Sequence, residues 1–281
     1  MPCLWDSHIH LFPNRLLRAI WNWFADAGWR IPYSGQDPES LYSALEDTGV
    51  KRAFLLPYAH KPDISHELNR WVRDFCRSHP RLVPFASVHP ADAEISSVLE
   101  TALDQWGFAG IKLQLAVLRI RADDPSLFPI YRAALLRNKP VVVHAGTAPY
   151  QPHHPEYGSL GLEHLRPVLD ALPELRLIIP HLGLDQMDEA VSLLRAHSGV
   201  HLDTSWAMGN PGLQLDPSRL RDIFRAHSDR ILYGSDFPLI EHPPHLGLRA
   251  LEELELDSDC LERILWANAR RLVEGNGSAG S

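Results

Sequence analysis

Four short strings in this chain each carry a metal-ligating side chain at the end of an apolar run: Asp6-Ser7-His8-Ile9-His10, Val143-His144-Ala145-Gly146, Pro180-His181-Leu182-Gly183 and Gly234-Ser235-Asp236-Phe237-Pro238. His8 and His10 are two residues apart, so on a strand both side chains point to the same side. His144 adds a third imidazole and Asp236 a carboxylate. A set of three histidines and one aspartate suits zinc or another first-row divalent ion, with room left for water. A lone His-x-His pair arises by chance in a chain with 16 histidines, and any one of these residues alone reads as structural. Four strand ends sharing the same chemistry are hard to obtain from packing, and together they read as one active site around a divalent metal. Asp6 is expected on the same face, orienting a ligand or holding the strand end.

Something must bring these strand ends together. Eight runs rich in Val, Ile and Leu, at 4–9, 53–57, 82–88, 109–114, 141–144, 177–179, 200–203 and 231–233, alternate with longer stretches of helical periodicity. That alternation marks repeated βα units and a parallel sheet, and with 281 residues it predicts a single-domain α/β protein, a (β/α)8 TIM barrel. The barrel is expected over 1–274, followed by a flexible tail at 275–281. Apolar residues at helical spacing support the connecting helices: Leu68, Trp71, Val72 and Phe75 form one face, and Met187, Ala190, Val191 and Leu194 another. The segments 92–106, 217–227 and 257–273 read the same way, the last as a closing helix. Two connections are unusual. Residues 11–38 hold Trp21, Trp23, Phe24 and Trp29, and residues 147–159 hold Pro149, Pro152, His153, His154 and Pro155. Both follow a strand ending in a candidate ligand, and so are expected over the catalytic face. The tryptophans themselves read as core or as a subunit contact, which would suit a homodimer.

Composition narrows the partners. The chain is 45% hydrophobic and 22% charged with a formal charge of -8, ample for a core and opposed to nucleic acid or an anionic membrane. A small-molecule substrate is expected. The N-terminus lacks the basic start and apolar stretch of a secretory signal, and no apolar run approaches a membrane span, so a cytoplasmic location is expected. Cys3, Cys76 and Cys260 form no CxxC pair and are expected to be free, buried thiols.

The motifs DxHxH at 6–10, GIKL at 110–113, HAG at 144–146, HLG at 181–183, GSDFP at 234–238 and NARRL at 268–272 carry a resemblance. The chain resembles the amidohydrolase superfamily, and within it the amidohydrolase-2 group that includes aminocarboxymuconate semialdehyde decarboxylase. The resemblance implies one divalent metal per chain, zinc or alternatively manganese, held by His8, His10, His144 and Asp236. It implies that His181 acts as acid and base beside the metal, and that Asp236 also takes a proton. The implied reaction is hydrolysis of an amide, lactone or related bond by a metal-activated water. The alternative is non-oxidative decarboxylation of an aromatic or muconate-like acid, which uses the same ligands. In other branches a lysine on the fourth strand is carbamylated and bridges two metals. Lys112 falls at that strand, its other reading being a buried lysine paired with Asp203. Further candidates for the pocket are Gln114, His60, His153, His154 and Trp206, with Lys61, Arg119 and Arg121 as cations for a substrate carboxylate.

Overall fold

The computed structural model describes residues 3–145 and 160–275. Eight strands, β1 (Trp5–Ile9), β2 (Arg52–Leu55), β3 (Leu82–Ser87), β4 (Gly110–Gln114), β5 (Val141–His144), β6 (Leu177–Ile179), β7 (Val200–Asp203) and β8 (Ile231–Leu232), lie in chain order in one sheet. All seven pairings between successive strands are parallel. Past β8 the chain turns back on β1: Tyr233 O accepts from the Ser7 amide at 2.8 Å, His8 O from the Asp236 amide at 2.9 Å, and Phe237 O from the His10 amide at 2.7 Å. These bonds bring the sheet round into a barrel and set Asp236 directly across from the His8–His10 strand.

The expected runs and the observed strands agree within about two residues. The last run is shortened because the Tyr233 amide leaves the sheet and bonds Ile264 O of the closing helix at 2.9 Å. Asn268 fixes that helix against the foot of β8, its amide donating to Ser228 O at 2.7 Å and to Ile231 O at 2.8 Å. Between strands the helices turn their apolar stripes inward. Ser65–Ser78 buries Leu68, Val72 and Phe75, and Met187–Ala196 buries Ala190, Val191 and Leu194. The long connection after β1 is largely a helix, Asn14–Asp26, buried through Leu17 and Trp21.

Inside the barrel, Trp5, Phe54, Val83, Phe85, Val142, Ile178 and Leu232 pack into one apolar cluster. Phe54 and Phe85 stack with centroids 4.9 Å apart. Gly110 begins β4 because a Cβ there would lie 2.4 Å from the Phe85 ring. Of the three thiols only Cys260 is buried; Cys76 is half-buried, and Cys3, just ahead of β1, is exposed. Among the described residues no helix is long and apolar enough to cross a membrane.

Candidate active site

Alternation along β4 and β5 carries the apolar interior upward into a polar one, and a register shift within β1 between Asp6 and Ile9 brings His8 to the same level. Two residues beyond Val142 stands His144, and two residues beyond Gly110 stands Lys112, which is fully buried. His8, His10, His181, Asp203 and Asp236 are buried around them. His8 Nε2 lies 3.2 Å from His10 Nε2, and Asp236 Oδ1 lies 3.1 Å from His10 Nε2 and 3.5 Å from His8 Nε2. His181 Nε2 lies 3.1 Å from His144 Nδ1.

The partners behind the rings set their tautomers. A carbonyl only accepts, so His10 Nδ1 carries a hydrogen and donates to Leu56 O at 2.7 Å. His8 Nδ1 donates to the Asp203 carboxylate at 2.7 Å, and His181 Nδ1 to Ser205 O at 3.0 Å. Each neutral ring is then left with a bare Nε2 lone pair, and those of His8 and His10 converge on Asp236 Oδ1. Lys112 Nζ meets the His8 lone pair at 3.3 Å, but His10 Nε2 and Asp236 Oδ1 face each other with no hydrogen between them, and such acceptors repel unless a cation sits among them. The donor set therefore fits a divalent metal. Ligand atoms of His8, His181 and Asp236 all lie within 4.8 Å of one another, so His181, expected as acid and base, stands as near a shared ion as the expected ligands do.

Burial drives the ionisation of these groups. It pushes the His8 imidazole well below its ordinary value, helped by the nearby Lys112 charge. It does the same to His144, helped by His181, and it lowers His10 less because Asp236 opposes it. Burial raises Asp236, but a hydrogen bond from His10, available only when that ring carries a hydrogen on both nitrogens, and the surrounding imidazoles outweigh it and hold the carboxyl below the usual range. Lys112 is brought down to about 8 by burial, against the pull of Asp236 and Asp203.

Three strained places in the chain deliver site residues. His181, Leu182 and Gly183 form a left-handed turn, with φ of 58°, 55° and 80°. Gly183 suits it, since a Cβ there would also lie 2.6 Å from the Ala190 methyl. Trp206 and Asp236 have φ of 54° and 68°, conformations that L residues adopt only when their surroundings hold them. Asp6 holds the seam and does not reach the rings: its carboxylate accepts from the Ser235 hydroxyl at 2.5 Å and amide at 2.9 Å, and from the His8 amide at 3.0 Å. Burial raises that carboxyl to about 7, against these bonds.

A cavity of about 350 Å³ opens above the cluster, reaching His10, His144, His181 and Asp236. Its wall includes Gln114, His60 and Trp206 as expected, and also Arg119. Gln114 Oε1 is buried with no hydrogen-bond partner among the described residues. Lys112 does not line this cavity; it lies under His8, with Nζ 3.3 Å from His8 Nε2. It makes no ion pair with Asp203, whose carboxylate is turned to His8. Lys61 is exposed and Arg121 pairs with Asp123 at 3.0 Å, neither on the cavity wall. His153 and His154, like Gly146, Pro149, Pro152 and Pro155, lie outside the described residues.

The tryptophan segment divides in two. Trp21 is core, as expected, but Trp23, Phe24 and Trp29 line the cavity, Phe24 while also packing against the core. The helix Asn14–Asp26 turns Leu17 and Trp21 inward, which leaves Trp23 and Phe24 facing the strand ends. Tyr58, edge-on to His10 at 5.8 Å, is another wall residue that its sequence context does not flag; its place just past a strand end is the available signal.

Comparison with known proteins follows the same outline. A family model described as amidohydrolase (Amidohydro_2) matches residues 5–274. No curated protein matches the chain significantly. Among solved structures, 5-carboxyvanillate decarboxylase from Novosphingobium aromaticivorans, complexed with manganese and 4-hydroxy-3-methoxy-5-nitrobenzoic acid, is similar at 17% identity and a TM-score of 0.70, over 97% of this chain and 96% of that one. 2,6-Dihydroxybenzoate decarboxylase from Rhizobium is similar at 19% identity and a TM-score of 0.69, over 99% and 100%. 4-Oxalomesaconate hydratase from Rhodopseudomonas palustris is similar at 16% identity and a TM-score of 0.67, over 97% and 96%. Their shared barrel, the family match and the converging donors agree, and the chain belongs to the amidohydrolase-2 family.

Proposed function

We propose that this protein is a metal-dependent lyase that removes the carboxyl group of a planar aromatic or conjugated acid as carbon dioxide. The observation that carries this reading is the cavity wall. Trp23, Phe24, Trp29, Tyr58 and Trp206 surround the approach to the buried histidines, with Arg119 and Gln114 among them. Aromatic walls suit a flat ring, and a guanidinium suits a carboxylate. The similarity to two aromatic-acid decarboxylases supports the same choice of substrate.

His8, His10, His144 and Asp236 would hold one divalent cation, zinc or manganese, in this reading. Bound there, the cation would act as a Lewis acid toward an oxygen of the substrate. Decarboxylation breaks the bond between the ring and the carboxyl carbon, leaves its electron pair on the ring carbon, and needs a proton in the vacated position. His181, with Nε2 turned into the cavity, is the proton carrier. Asp236, held ionised, keeps negative charge beside that ring. The rings of the wall keep bulk water from the reacting carbon.

Hydrolysis of an amide or lactone is the second reading. The ionised Asp236 and the neighbouring His181 favour it, since they form a proton acceptor and a proton donor on either side of the same small space. A single screen separates the two. Protein loaded with zinc or manganese is given hydroxy- and methoxybenzoates and muconate-like acids on one side, and lactones and amides on the other. Carbon dioxide release with no hydrolysis is the expected result; lactone or amide cleavage without carbon dioxide would replace the first reading with the second.

A further inference from the structure

One carboxylate stands behind two histidines. Asp203 Oδ2 accepts from His8 Nδ1 at 2.7 Å. Its other oxygen accepts from the His181 amide at 3.0 Å, from the Ser205 amide at 3.0 Å, and from the Ser205 hydroxyl. All four side chains are buried, His8, Asp203 and Ser205 completely. The Ser205 hydroxyl has a single hydrogen, and it is committed to Asp203. Toward His181 Nδ1 at 2.9 Å and His8 Nδ1 at 3.2 Å the Ser205 oxygen can therefore only accept.

We infer that Asp203 and Ser205 form a single brace for both rings: Asp203 sets the tautomer of His8 directly, while Ser205, through its carbonyl and a hydroxyl tied to Asp203, receives the His181 Nδ1 hydrogen, so that the grip on the metal and the placing of the proton carrier share one carboxylate. Each Nδ1 carries its hydrogen toward the brace, and each Nε2 lone pair is presented to the cavity side. The His181 amide belongs to the left-handed turn at residues 181–183. A buried charge-assisted bond from Asp203 to that amide helps to hold a conformation the chain otherwise avoids. Asp203 and Ser205 are thus positioning residues.

The inference rests on the metal site proposed above but not on the reaction, and its test needs no substrate. Metal-free protein with 15N-labelled histidine is examined by two- and three-bond 1H–15N correlation, with the His8 and His181 ring signals assigned from His8→Asn and His181→Asn variants. Both rings should be Nδ1–H tautomers. In Asp203→Asn the amide oxygen faces the three donors, and the NH2 group is turned to His8 Nδ1, which must then accept. The His8 hydrogen moves to Nε2, and zinc affinity, measured by chelator competition, should fall about 10- to 100-fold. Ser205→Ala removes one of the two acceptors at His8 Nδ1 but keeps Asp203, so His8 should remain the Nδ1–H tautomer and zinc affinity should fall by less than in Asp203→Asn, while the His181 ring signals shift. An Nε2–H tautomer at either ring in the wild-type protein would overturn the brace, and that spectrum decides the matter even if a variant fails to fold. Unchanged zinc affinity in a folded Asp203→Asn would overturn it too. Failure of the carbon dioxide screen alongside the expected tautomers would count against the proposed reaction and leave the brace standing.

Discussion

The barrel interior has two layers built from the same strands, and they do opposite things. On β3, β4, β5 and β7 a lower residue and one two positions further on share a face: Phe85 and Ser87, Gly110 and Lys112, Val142 and His144, His201 and Asp203. Below, aromatic and aliphatic side chains fill the space. Above, the inward residue on each of these four strands is polar. The lower layer also acts on the upper one: a dry floor makes charge expensive, which is why burial leads the causes that lower Lys112, His8 and His144. The floor supplies stability and the low dielectric, and the ceiling supplies chemistry. Substitutions should sort accordingly.

The largest effect is expected in the upper layer. Asp236→Asn keeps the size of the side chain but removes the charge on which the His8 and His10 lone pairs converge. Carbon dioxide release should fall about 10²- to 10⁴-fold, metal content per chain should drop, and the melting temperature should hold. A metal-loaded Asp236→Asn protein with full activity would break the division between layers.

Phe85→Ala tests the floor. The ring is fully buried and stacked on Phe54, and a Phe-to-Ala truncation of this kind costs about 3–5 kcal/mol. Thermal unfolding should move down by roughly 10 °C, while metal content per folded chain stays at the wild-type level. Loss of metal with little loss of stability would show that the layers are not separable.

Legibility in the amino-acid sequence divides along the same boundary. The floor and the strand ends follow from short-range pattern, so the eight runs, the barrel and the strand-end positions of His8, His10, His144, His181 and Asp236 can be read from period and spacing. Asp203 is visible as the end of the seventh run, yet its expected partner, Lys112, is not the one the fold supplies. A single aspartate at a strand end does not reveal which of several inward side chains its carboxylate will meet. The cavity wall is harder still. Trp23 and Trp29 look like core by composition, and only the tertiary placement of the helix Asn14–Asp26 and of the turn that follows it brings them to the cavity wall. The left-handed turn at 181–183 has one written sign, Gly183; nothing in the residue types of His181 and Leu182 announces it.

His201 is the polar exception in the lower layer. Register sets it beside Ile178, and burial brings its imidazole from an ordinary 6.5 down to about 4, only partly offset by its hydrogen bond to Gly199 O. The folded state thus favours the neutral ring, and between those two values the unfolded chain binds more protons. Stability from this group is intact above pH 6.5 and is lost as pH falls toward 4. The loss amounts to about 3 kcal/mol. Denaturant titrations at pH 7 and pH 4 should therefore show a larger drop for wild type than for His201→Gln, whose amide can still donate to Gly199 O. Equal drops would mean that the floor is wetter at this point than its packing indicates.

The smallest expected effect belongs to the wall, where neither layer is disturbed. Trp206 stands edge-on to His181 with centroids 6.4 Å apart, lies nearly parallel to Trp29 at the same separation, and donates its indole N–H to Glu241 at 3.0 Å. It touches the reacting groups only by enclosing them, so Trp206→Ala removes contact with a flat substrate and leaves the metal donors in place. An aromatic contact of this size is worth about 0.5–1.5 kcal/mol beyond simple burial, which corresponds to a KM for an aromatic acid raised about tenfold at most. The turnover rate and the zinc affinity should change little. A fall in turnover with KM unchanged would instead make Trp206 part of the machinery that aims His181, and the line between wall and ceiling would have to be redrawn to include it.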